Sequence, residues 1–140
     1  LNDYGLKRPS WRSDLEVLYP DCKQALKTLH QHYKIGIIAN QLPNLQARLG
    51  RFGIDSWIDL VISSADVGLA KPDLAIFELA LQQANCLAEG AVMIGDRLDN
   101  DILPAKQLGM QTIWIRQGFS RLTHITNPAE APDWTVDNLT

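Results

Sequence analysis

From residue 19 onward, short apolar runs exchange with amphipathic stretches, and this alternation does most to limit what the chain can fold into. Residues 34–40, 58–62, 91–94, 111–116 and 134–136 are of strand length and largely apolar. The segments between them have helical spacing. Tyr19-Pro20-Asp21 reads as a helix entry, with Ala25, Leu26 and Leu29 following on one face. Pro43 starts a second helix through Leu45 and Leu49, with Gly53 past its end as a left-handed stop. Pro72-Asp73 opens a third that carries Leu74, Ile76, Phe77, Leu79, Ala80 and Leu81. Residues 101–108 form a short helix stopped at Gly109, and residues 63–71 and 118–133 read as loops. Strands that alternate with helices predict βαβ units: an α/β fold with a Rossmann-like, doubly wound parallel sheet covered on both faces.

Composition narrows the function. With 46% hydrophobic and 21% charged residues, the 140-residue chain is neither disordered nor fibrous. A formal net charge of −3 is a poor match to a protein that grips nucleic-acid phosphates. No apolar stretch approaches the roughly 20 residues that span a bilayer. Cys22 and Cys86 lie far apart with no His or Cys at ligand spacing, so they read as reduced thiols of a cytoplasmic protein.

In doubly wound sheets the chemistry lies beyond the carboxyl ends of the strands. Three candidates fall there. The strongest is Ile94-Gly95-Asp96-Arg97-Leu98-Asp99-Asn100-Asp101, where an apolar strand runs into one acid and a second follows at a helix entry. Two carboxylates in one crevice suit Mg²⁺, a hard cation that takes one or two protein carboxylates, water and a phosphate. Helix capping alone would account for Asp99 or Asp101 but not for Asp96. Lys71, just before Pro72, is placed to screen crowded carboxylates and attract a phosphoryl group. Asn40, after Ile38-Ala39, ends another strand, where its amide and nearby backbone N–H groups could take a phosphate oxygen.

In this order the three elements resemble the haloacid dehalogenase superfamily of hydrolases, most of whose members are Mg²⁺-dependent phosphatases that work through an aspartyl-phosphate. The resemblance runs from about Tyr19 to Thr140 and is most specific over residues 92–110. It implies that Asp96 and Asp101 hold the metal, that Lys71 stabilises nucleophile and phosphoryl group, and that Asn40 ends the phosphate-holding second motif. The substrate it implies is a small phosphorylated metabolite.

Two departures qualify it. The family carries Ser or Thr before the Asn, and this chain has Ala39; the lost donor is worth roughly 1.5–3 kcal/mol to a charged acceptor. The family's nucleophile also lies in an Asp-x-Asp at the end of a first strand, upstream of a helical cap. No Asp-x-Asp follows an apolar strand before Lys34, and Asp3 and Asp14 sit in polar sequence. Residues 1–19 therefore read as the tail of a cap or linker, and residues 20–140 as a core whose first strand and nucleophile are missing. The chain alone is expected to be inactive. The strands ending at Asn40 and Asp96 are expected either to pair directly or to receive a strand from a second copy or another segment.

A degenerate, non-catalytic binding or assembly module is the alternative, favoured by Ala39. A phosphorelay receiver has its acids and lysine in another order, and true dehalogenation leaves the acid pair unexplained. His30 and His32 read as surface groups at a helix end, and His124 as a lone loop residue. The four tryptophans read as packing residues, with Trp11 a candidate for a cap–core cleft, and Arg116 and Arg121 as loop charges.

Overall fold

A computed structural model describes residues 12–140. All five expected strands form, and every pairing is parallel: β1 (Gly36–Ala39), β2 (Leu60–Ser63), β3 (Val92–Gly95), β4 (Gln111–Ile115) and β5 (Trp134–Val136). They divide into two sheets. β1 pairs with β2, with Ile38 opposite Ile62 and Ala39 opposite Ser63. β3 pairs with β4 and β4 with β5, with Gly95 opposite Trp114.

Helices α1 (Cys22–Leu29), α2 (Leu45–Phe52), α3 (Ser64–Val67), α4 (Leu74–Ala84) and α5 (Leu103–Gln107) connect them. Ile62 and Met110 join Ile76, Phe77 and Ala80 of α4 and Ala105 of α5 in the main core. Ile38 of β1 and Met93 of β3 pack on that same cluster, so α4 bridges the two sheets from one side. Ile37, one residue along and on the opposite face, packs instead with Leu26 of α1 and with Leu45 and Leu49 of α2. The doubly wound layering is as expected.

Direct pairing of β1 with β3 is not realised. Val92 and Ile94 of β3 remain 46% and 39% exposed, and among the described residues no strand pairs with the facing edges.

Local boundaries also differ from the sequence pattern. The second strand starts at Leu60 rather than Ile58 because a 3-10 turn over Asp55–Trp57 precedes it. The Asp59 carboxylate then accepts the Ile35 N–H at 2.7 Å, which ties the two strand entrances together. The stretch after Ser63 is a helical turn, α3, rather than open loop. Asp101 lies in a π-turn over Leu98–Ile102, and α5 starts only at Leu103. Asp73 does cap α4, its Oδ1 accepting the Ala75 N–H at 2.9 Å. Asp21 stands at the start of α1 but caps nothing there; its carboxylate takes the Leu139 N–H at 2.7 Å. Gly53 ends α2 with φ 66°, the expected left-handed stop.

Candidate active site

Asn40, Lys71, Asp96 and Asp101 all lie at the carboxyl ends of β1 and β3. A chain of hydrogen bonds links three of them. The Lys71 ammonium donates to Asp101 Oδ1 at 2.6 Å, and both side chains are largely withdrawn from water, at 13% and 5% exposure. The other carboxylate oxygen, Oδ2, accepts the Arg97 N–H at 3.0 Å. The Asn40 amide grips the Lys71 main chain twice. Its Nδ2 donates to the Lys71 carbonyl and its Oδ1 accepts the Lys71 N–H, both at 2.8 Å. One end of the pair is thus fixed through β1 and the other through the turn after β3.

The side chain of Asn40 faces Lys71 rather than an open ligand position, and the next N–H, that of Gln41, is taken by Ser64 Oγ at 3.1 Å. Ala39, where the resemblance calls for a hydroxyl, packs against the second core. The hydroxyls near this turn are those of Ser63 and Ser64, and both donate to the Gln41 carbonyl.

Asp96 differs from Asp101. Its carboxylate is exposed, and among the described residues no hydrogen bond or ion pair engages it. Only its backbone carbonyl is held, by the Trp114 indole N–H at 2.9 Å. Asp99 is drawn away from the site by a two-point pair with Arg97. Asp99 chiefly, with Asp101 and Asp96 adding, raises Arg97 above the ordinary guanidinium value, while Arg97 lowers the Asp99 carboxyl.

Gly95 is required here by close approach. A Cβ on it would lie 2.6 Å from Asp101 Cγ, so any side chain at this position would displace the acid.

Sequence reasoning missed two contacts that brace the site. Trp114, a packing residue by its sequence setting, is buried at 3% exposure, but its N–H also serves the backbone of Asp96. Arg48 on α2 pairs with Glu16 at 2.8 Å and donates to Gln41 Oε1 at 2.9 Å. It thereby ties the segment before α1 to the turn after β1. Both contacts join residues distant in sequence and leave no local pattern.

The remaining candidates stay at the periphery. Asp14 is exposed and paired with Arg12, which is no setting for a nucleophile. His30 lies 3.5 Å from Asp59, and His32 and His124 are exposed. The Arg116 guanidinium lies over the Trp114 ring at 5.5 Å and donates to the Arg121 carbonyl. Trp57 joins the second core, whereas Trp134 is 52% exposed rather than packed. Asp3 and Trp11 lie outside the described residues.

A family model described as haloacid dehalogenase-like hydrolase matches residues 10–115. The chain belongs to the haloacid dehalogenase-like hydrolases. It is 37% identical to the pyrimidine 5'-nucleotidase YjjG of Escherichia coli over 86% of this chain and 52% of that protein. It is 44% identical to a glyceraldehyde 3-phosphate phosphatase of Methanocaldococcus jannaschii over 76% of this chain and 46% of that protein. Among solved structures it superposes on a HAD phosphatase from Thermococcus onnurineus with a TM-score of 0.76 and 31% identity, covering 87% of this chain and 54% of that one. The chain therefore spans about half the length of the curated haloacid dehalogenase-like relatives it matches.

Proposed function

We propose that this chain forms the metal and phosphate end of a Mg²⁺-dependent phosphatase for small phosphorylated metabolites. The observation that carries the reading is the withdrawn Lys71–Asp101 pair together with the exposed, unbonded carboxylate of Asp96, all beyond the carboxyl ends of parallel strands. The names of the relatives, a nucleotidase and a sugar-phosphate phosphatase, support the same substrate class.

The donor set fits a weakly enclosed Mg²⁺. Among the described residues no three His, Cys, Asp or Glu side chains form a ligand cluster. An ion that keeps several waters and takes one or two carboxylates needs no such cluster. Asp96 has its carboxylate free for direct ligation. Asp101 has one hydrogen bond on each oxygen and can still accept from a metal-bound water. When bound, Mg²⁺ would offset the negative charge of a phosphoryl group in transfer.

The protein's own groups have distinct parts. Asn40 fixes the Lys71 main chain. Asp101 holds and aims the Lys71 ammonium, whose remaining N–H groups are available to phosphoryl oxygens. The reaction in this reading is a double displacement. An aspartate carboxylate attacks phosphorus and expels the alcohol; water then hydrolyses the acyl-phosphate and regenerates the carboxylate. In this reading the attacking Asp is supplied by a segment other than the described core. In the same reading the core over residues 20–140 is completed by a strand added between β1 and β3, from a second copy or another segment, and residues 1–19 link it to a cap. The free thiols of Cys22 and Cys86 fit a reducing compartment such as the cytoplasm.

Two measurements test this together. The chain alone should bind inorganic phosphate in the presence of Mg²⁺, seen by titration calorimetry, and Lys71→Met should abolish the binding. It should not turn over p-nitrophenyl phosphate. Turnover by this polypeptide, or phosphate binding indifferent to Lys71, overturns the reading. Ala39 favours a second reading, a binding module without catalysis, for which an unchanged phosphate affinity in an Ala39→Ser variant is expected.

A further inference from the structure

Trp114 stands at a point where backbone order and acid placement meet. It lies opposite Gly95 in the parallel register of β3 and β4, so its side chain reaches the first residue beyond the strand. There the ladder has ended, and the Asp96 carbonyl is met by the indole N–H, 18 residues away in sequence, at 2.9 Å. The next peptide N–H, that of Arg97, is taken by Asp101. Two side-chain bonds therefore bracket Asp96, one on its own carbonyl and one on the following amide. The indole itself is immobilised: it is 3% exposed, and the Arg116 guanidinium lies over the ring. The carboxylate of Asp96, by contrast, has no hydrogen bond or ion pair among the described residues. The two bonds fix the backbone from which it projects.

We propose that Trp114 is a positioning residue for divalent-cation binding, acting through its hydrogen bond to the Asp96 carbonyl. The inference rests on the reading of Asp96 as a cation ligand. Groups that orient a ligand without touching the metal typically carry tenfold or more of metal affinity. A ring retained only for packing would carry none.

The test separates hydrogen bonding from packing. Benzothienylalanine at position 114 replaces the indole N–H with sulfur and keeps the size of the ring; Trp114→Phe serves as the second variant. Affinity for Mn²⁺ is read by electron paramagnetic resonance, and folding by thermal unfolding. Asp96→Asn should remove Mn²⁺ binding, and both Trp114 variants should weaken it about tenfold, even in the benzothienyl protein with its unfolding midpoint unchanged. The indole ¹H–¹⁵N signal lost in the Trp114 variants should move as Mg²⁺ is added to the native chain. If Asp96→Asn removes binding while the benzothienyl protein binds like the native chain, Trp114 only packs and the proposal is overturned, with the cation reading intact. If the native chain binds no Mn²⁺, or Asp96→Asn binds it equally well, the cation reading fails and takes the proposal with it.

Discussion

The Lys71 ammonium lies 2.6 Å from Asp101 with both groups nearly shut off from water, so each charge faces its opposite at hydrogen-bond distance. Deleting one partner leaves a buried charge uncompensated. Asp101→Ala should lower stability by roughly 3 kcal/mol, measured by urea unfolding. Replacing both, as Lys71→Met with Asp101→Leu, should lower it by clearly less than the two single losses combined. Additive losses would show that the pair is not coupled.

Gly95 has no room for a methyl group. Gly95→Ala should cost about 1–3 kcal/mol through overpacking against Asp101, visible as a lower thermal midpoint. It should also weaken phosphate binding, because the acid that must move is the one holding Lys71. A variant as stable and as competent as the native chain would refute the close approach.

Asp133 provides a pH signature. Its carboxylate accepts both the hydroxyl and the backbone N–H of Thr112, at 2.8 and 2.7 Å, and these bonds hold its carboxyl below the usual aspartate range. A depressed folded value means stabilisation present above the unfolded value of about 3.9. That stabilisation fades as pH falls through the folded value. Asp133→Ala should therefore be less stable than the native chain at pH 7 by about 1 kcal/mol, a charged hydrogen bond discounted for exposure. The gap should close progressively below about pH 4. A gap constant from pH 7 to 2 would assign the loss to packing instead.

The open edge of β3 makes a prediction for hydrogen exchange. Outward-facing amides of residues 92–95 should exchange much faster than the paired amides of β4. If a strand is added between β1 and β3, these amides should slow selectively. Uniformly slow exchange in the chain alone would show that the edge is already covered.

Much of this arrangement was legible in the sequence, for local reasons. Short apolar runs of three to seven residues marked all five strands, Pro43 and Gly53 marked the helix next to them, and strand ends picked out Asn40 and Asp96. The resemblance then gave Lys71 and Asp101 their place. The contacts that position those groups were not legible. Trp114 reaches Asp96 and Arg48 reaches Glu16 only after the chain has folded, and neither link follows a helical or strand period. The π-turn at Leu98–Ile102 escaped because one extra residue in the first turn leaves no trace in apolar spacing. Ser63 and Ser64 escaped because their hydroxyls serve the backbone of Gln41, a neighbour in space alone.

Asn40 follows a strand of one sheet and Asp96 a strand of the other, and among the described residues no ladder of backbone hydrogen bonds runs between them. The span from Lys71 to the Asp96 carboxylate is therefore held by side chains: the apolar face of α4 below, and one ammonium–carboxylate contact above. A backbone ladder would make that span rigid to a fraction of an ångström. Here it behaves as a compliant gauge, whose setting any strand laid between the sheets would lock.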